Sequence, residues 1–159
     1  MNSMLRIQTK NAPKNVLFLC ESNDLYSPIA EAYLNKKAKR NFKAYSAGFH
    51  TRSINPNMLH VLREDGIDLS SHDAKSMYSL DLSAIKFDYV ISFCDPENPT
   101  QHPVLPNKHK MIKWNMRATA NMGDILQQTR KTRDAIKAAV NDFIEEQLSA
   151  FEENNLQLV

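Results

Sequence analysis

The hydrophobic pattern opens with an unbroken run. Val16, Leu17, Phe18 and Leu19 are consecutive apolar residues that end at Cys20, which suits a strand buried on both faces. Polar residues occupy most of 21–26, and Ser27-Pro28 then opens an apolar-periodic segment through Ile29, Ala30, Tyr33 and Leu34. A Ser followed by Pro at the first helical position marks a helix start. The pattern therefore predicts a strand over 15–20, a loop, and a helix from 27 to about 40. Phe42 to Ser46 alternates as a second short strand, ended by Ala47-Gly48. Asn55 caps a helix with Pro56 at its first position, Met58, Leu59, Val61 and Leu62 as its apolar face, and Gly66 at its close. Residues 67–70 read as an extended link, and 73–86 as one or two short helices with Leu80, Leu82 and Ile85 turned inward.

The second half repeats the theme. Residues 87–93 predict a third strand ending at Cys94, and 111–114 a fourth, separated by a long loop with four prolines. Gly123-Asp124 opens the longest helix, with a stripe through Ile125, Leu126, Thr129, Thr132, Ile136, Val140, Phe143 and Phe151. Strands alternating with helices predict an α/β fold, a four-stranded parallel sheet with helices on both faces. The chain of 159 residues is read as a polar, aperiodic N-terminal extension over 1–14 and a single domain over 15–155.

Composition narrows the function classes more than it selects one. The chain is 42% hydrophobic and 24% charged, ordinary for a globular protein. A net charge of +2 with scattered Lys and Arg does not mark a nucleic-acid binder; the run Lys36-Lys37-Ala38-Lys39-Arg40 reads as the solvated end of a helix. No stretch reaches membrane-spanning length and residues 1–14 lack the apolar core of a signal peptide, so the expected location is cytoplasmic. Two distant cysteines give neither a disulfide framework nor metal-ligand spacing, and His50, His60, His72 and His109 do not cluster. No cofactor is expected.

The candidate chemistry sits in the first loop. Cys20 ends a strand, and the loop Glu21, Ser22, Asn23, Asp24, Leu25, Tyr26 runs into a helix start at Ser27. Backbone N–H groups of such a loop converge on one small space where an anion binds, and the helix N-terminus favours a thiolate. The arrangement predicts a nucleophilic cysteine beside an oxyanion cradle.

At these residues the chain resembles the low-molecular-weight protein tyrosine phosphatases and the arsenate reductases that share their fold. Cys20, Asn23, Ser27 and Pro28 fall on the family's loop pattern. Tyr45-Ser46-Ala47-Gly48 matches its second strand and turn; Asn55-Pro56 through Ser70, Cys94 and Lys113-Trp114 look like the thioredoxin-coupled arsenate reductase branch. The resemblance implies a flavodoxin-like strand order and Cys20 as nucleophile, with Ser27 and Asn23 completing the catalytic set. It implies Glu21, Ser22, Asp24, Leu25 and Tyr26 as the anion-binding loop, phosphate or another oxyanion as ligand, and Cys94 as a candidate redox partner of Cys20. It also implies that Asn23, Glu31 and Ser46 match ligands of a potassium ion in some arsenate reductases, with Lys75 where an acidic ligand would stand.

Two family groups are missing. Tyr26 stands where the loop Arg belongs, and Arg117-Ala118-Thr119 replaces the acid after Trp114. A phenol supplies one donor and no charge, whereas each charged hydrogen bond contributes about 1.5–3 kcal/mol. Their loss is worth roughly a few orders of magnitude in rate. Arg117 is either a solvated loop residue or a replacement for the loop Arg. Asp95 and Glu97 are candidate substitute acids. The sequence therefore leaves open a pseudo-enzyme or very weak enzyme with a binding or regulatory role and a protein partner, an active phosphatase or arsenate reductase using substitute residues, and a thiol redox protein.

Overall fold

A computed structural model describes residues 12–78, 84–93, 110–116 and 123–157. Four strands, β1 (Lys14–Cys20), β2 (Phe42–Gly48), β3 (Tyr89–Ser92) and β4 (Lys110–Lys113), pair in parallel in the order β2-β1-β3-β4. Three helices accompany them: α1 (Tyr26–Ala38), α2 (Pro56–Glu64) and α3 (Ile125–Leu156). This is the α/β parallel sheet that the hydrophobic pattern predicts. Among the described residues, no helix is long and apolar enough to cross a membrane.

The central strand shows why the run at 16–19 has no polar breaks. Val16 and Phe18 enter one core with Ile29, Leu34, Met58, Val61, Ile136 and Val140, which come from all three helices. Leu17 and Leu19 face the other side and pack with Ala47, Met77, Phe87 and Val90. Every side chain of Val16–Leu19 is at most 1% exposed. In an open parallel sheet the loops at the strands' carboxyl ends form the ligand-binding edge, and Cys20 is the last residue of β1.

Several boundaries differ from the sequence expectation. α1 begins at Tyr26, one residue before the predicted Ser27 cap, and Leu25 at its N-cap makes no side-chain cap bond. Ser27 is inside the helix, and its hydroxyl serves the cysteine instead. β2 continues through Ala47 to Gly48, because the parallel register carries on to Cys20↔Gly48. Residues 72–78 are not helical: Ser76 forms an isolated parallel bridge with Gly48. The competing bonds are long-range, with Gly48 N–H donating to Lys75 O at 2.8 Å and Met77 N–H to Gly48 O at 2.8 Å. Leu80 and Leu82 lie outside the described residues.

α3 begins where Asp124 caps it, its carboxylate accepting from Leu126 N at 3.1 Å. Ile125, expected in the apolar stripe, is 60% exposed, while Arg133 is buried within it. Arg133 is tolerated there because Nη1 donates to Val61 O at 2.8 Å and to Glu64 Oε1 at 2.7 Å. Buried cations need such partners.

Candidate functional site

The site grows from the end of β1. Cys20 is 4% exposed, and its Sγ lies 2.7 Å from Oγ of Ser27, the second residue of α1. Ser27 Oγ in turn accepts from Asn23 Nδ2 at 3.0 Å. With the amide on one acceptor position of Ser27, the hydroxyl proton is left to serve the sulfur or Ala47 O, which lies 3.5 Å away.

Asn23 organises the loop. It is fully buried and has φ of 49°, the left-handed region in which Asn is tolerated better than most side chains. Its side chain makes three bonds: Nδ2 to Ser27 Oγ, Nδ2 to Ser46 Oγ at 3.0 Å, and Oδ1 from Lys75 N at 2.7 Å. One residue thereby ties the loop to α1, β2 and the segment after α2. The loop's outer carbonyls are taken as well. His50 N donates to Glu21 O at 2.9 Å and Arg52 N to Ser22 O at 3.1 Å. The strap 50–52 thus holds the first half of the loop from outside.

Beneath the loop Lys75 reaches Glu31. Lys75 Nζ is 3.7 Å from Glu31 Oε2, and Ser46 Oγ donates to that same carboxylate oxygen. Lys75 and Ser46 therefore meet at Glu31 rather than bonding directly. His72 is half-buried, and its Nε2 has no hydrogen-bond partner among the described residues. Burial holds its imidazole below the usual histidine range, and the Lys75 charge adds to this. The sequence signal for His72 is weak, because it stands just before a segment whose helical pattern is overridden by the bonds to Gly48 and Asn23.

Tyr26 occupies the first residue of α1. Its ring stacks on Phe93 with centroids 5.4 Å apart and planes 19° apart, and Phe93 meets Trp114 edge-on at 5.6 Å. Burial raises the phenol above the ordinary tyrosine range, and the charge of Cys20 raises it further. It is a neutral hydroxyl at physiological pH. Glu21 is exposed and Asp24 half-buried. Behind Leu25 and Tyr26 lies a cavity of about 270 Å³, shared with Asn55, Met58, Gln128 and Thr132. Among the described residues, no charged side chain lines it. No group of three His, Cys, Asp or Glu side chains among the described residues is placed to hold a metal. Cys94 and Arg117, together with Asp95 and Glu97, lie outside the described residues.

A parallel α/β sheet with a cysteine at the carboxyl end of its central strand, hydrogen-bonded to a serine in the following helix, defines a class of thiolate proteins. The chain belongs to the low molecular weight phosphotyrosine protein phosphatase family, whose model matches residues 15–157. Its relatives include an arsenate reductase of Staphylococcus aureus (strain Newman), 29% identical over 131 residues, which are 82% of this chain and 95% of that one. Arsenate reductase 1 of Staphylococcus epidermidis is 30% identical over 130 residues, with the same shares of 82% and 95%. Among solved structures, a thioredoxin-dependent arsenate reductase of Corynebacterium glutamicum matches with a TM-score of 0.66 at 27% identity, over 88% of this chain and 65% of that one. The arsenate reductase of Archaeoglobus fulgidus matches with a TM-score of 0.65 at 24% identity, over 82% and 98% of the two chains.

Proposed function

We propose that this chain keeps the family's scaffold and cysteine cradle while lacking the groups for efficient oxyanion chemistry. It acts as a pseudo-enzyme or very weak enzyme with a binding or regulatory role. The observation that carries this reading is the Tyr26 ring stacked on Phe93 at 5.4 Å, at the motif position that in the family supplies a guanidinium. A neutral phenol held in an aromatic stack cannot clasp two oxyanion oxygens as a planar fork does. Glu21 and Asp24 add negative charge to the same loop. The relatives' names speak of arsenate reduction, and one similar structure is titled as an arsenate reductase in the phosphate-binding state; for this chain those ligands bind weakly.

The deciding experiment compares wild type and Cys20→Ser in hydrolysis of an aryl phosphate and in thiol-dependent arsenate reduction. The expected outcome is turnover at or near the Cys20→Ser background for both substrates. Cys20-dependent turnover at about one per second or faster, within the ordinary enzyme range, would overturn the reading.

One observation favours the second reading, an active enzyme with substitute residues. Cys20 Sγ and Ser27 Oγ remain 2.7 Å apart, the contact that a nucleophilic thiolate requires. In that case Arg117 would supply the missing cation, and Arg117→Ala would abolish the turnover.

A further inference from the structure

Away from the Cys20 loop, a second cavity lies between the last strand of the sheet and α3. Its volume is about 220 Å³. Ile112 and Trp114 wall it from the β4 side, and Ala139, Asp142, Phe143 and Glu146 from α3. Ile112 and Trp114 fall on one face of the strand by alternation, and both pack against the core that the helices cover. The Trp114 and Phe143 rings meet edge-on with centroids 6.4 Å apart. The inner wall is therefore aromatic and aliphatic.

The rim is acidic. Asp142 and Glu146 stand four residues apart on α3, hence on one face of it, and both are exposed. Neither carboxylate has an ion-pair or hydrogen-bond partner among the described residues. Like charges at that spacing repel. Lys110, on the same face of β4 as Ile112, pairs with neither of them. Lys37 reaches this half of α3 but donates to the Asn141 amide oxygen at 2.8 Å. From residue 138 to the end of α3 at Leu156 there is no Lys or Arg, so the field at the cavity mouth is negative.

We propose that this cavity is a recognition site for an arginine side chain of a partner protein. Two carboxylates one turn apart match a planar fork of N–H donors better than a point charge. A guanidinium stacks on an indole and sheds its water more readily than an ammonium does. The aliphatic stem of the same side chain has Ile112 and Ala139 to lie against. A protein segment is a better occupant than a small ion for a second reason. β4 ends the strand order, and among the described residues no strand pairs with its outer side, so an extended chain can run along it. The site is separate from the Cys20 loop and holds whether or not that loop turns over a substrate.

The test uses the full chain, labelled with nitrogen-15, and three capped peptides: Gly-Gly-Arg-Gly-Gly and its lysine and citrulline counterparts. Citrulline keeps the shape of arginine and removes the charge. Amide shifts on titration give both the affinity and the place of binding. The arginine peptide should bind with a dissociation constant on the order of 1 mM at low ionic strength, as a single-residue contact does. The shifts should centre on Ile112, Ala139 and Phe143. Lysine should bind more weakly, and citrulline at least about tenfold more weakly, since it forfeits the charged hydrogen bonds. High salt should weaken the arginine peptide most. Asp142→Asn with Glu146→Gln should cost about tenfold in affinity. Glu152→Gln with Glu153→Gln removes the same charge from the same helix outside the cavity and should cost about twofold or less, as screened distant charges do. The proposal is overturned if citrulline or lysine binds as well as arginine, if the shifts centre elsewhere, if the Glu152 and Glu153 pair costs as much as the cavity pair, or if no peptide binds.

Discussion

Gly48 abuts the peptide of Asn23 so closely that a Cβ on it would stand 2.5 Å from Asn23 N, 2.9 Å from Ser22 C and 2.8 Å from His50 O. All three neighbours are backbone, so none can step aside as a side-chain tip would. The glycine is where β2, the strap and the Cys20 loop meet. Gly48→Ala should displace the loop and cost about 1–3 kcal/mol of stability, as overpacking in a tight site does. Urea unfolding measures the loss, and faster labelling of Cys20 by a bulky thiol reagent reports the opened loop. An alanine variant of unchanged midpoint and unchanged labelling rate would contradict the tight packing.

Oxyanion affinity at the loop should be very weak. Calorimetric titration of wild type with phosphate or arsenate should give no saturable heat in the micromolar range, because Tyr26 offers no charge. Binding at micromolar concentration or tighter would refute this.

Restoring the missing groups should restore chemistry. Tyr26→Arg supplies two charged hydrogen bonds, each of about 1.5–3 kcal/mol, against the loss of a ring stack of about 0.5–1.5 kcal/mol. Phosphate affinity should therefore rise by at least about tenfold. Adding Ala118→Asp should help mainly aryl phosphates with poor leaving groups, and the two changes should combine more than additively since both act on one transition state. Steady-state rates across leaving groups, each with a Cys20→Ser control, measure this. Folded double variants no faster than wild type would mean that the loop is not the family's cradle.

Lys75 should make the fold indifferent to potassium. Its ammonium already provides the positive charge beside Glu31, so melting temperatures in potassium and sodium chloride should coincide. The pair is partly exposed, at 33% and 22% for the two side chains, and Lys75→Met should cost about 1 kcal/mol or less. A marked, potassium-specific rise in the wild-type melting temperature would be the contrary result.

His72 should make stability fall in mild acid. Its folded-state pKa lies below the ordinary value of 6.5, first through burial and then through Lys75. The unfolded chain therefore takes up a proton that the folded chain refuses. Its contribution is whole above pH 6.5 and is lost as pH falls from there through the lower folded value. Urea unfolding of wild type and His72→Gln across this range should show a shallower slope for the variant; parallel slopes would remove His72 from the account.

Local pattern carried far where it agreed with the long-range bonds and failed where it did not. Val16–Leu19 is legible because a strand buried on both faces leaves no polar positions. Cys20 is legible because its loop joins a strand end to a helix start, whereas Asn23 and Ser27 join it only through the resemblance to the family's loop pattern. The segment at 73–78 misled: its apolar spacing suits a helix, but Asn23 Oδ1 claims Lys75 N and Gly48 claims Met77 N. Ser27 before Pro28 suits a cap, and only the sulfur 2.7 Å away shows why its hydroxyl turns elsewhere. Arg133 fits no apolar stripe, since its partners, the buried Val61 O and the exposed Glu64 carboxylate, come from another helix.

The aromatic stack beside the loop has a practical consequence. Trp114 is the chain's single tryptophan, and it meets Phe93 edge-on while Phe93 carries the Tyr26 ring. The indole therefore sits one aromatic ring away from the first residue of α1. Any event that moves Tyr26, whether a ligand or a substitution, changes the packing and polarity around one fluorophore. The protein carries its own optical gauge of the Cys20 loop, readable without a label.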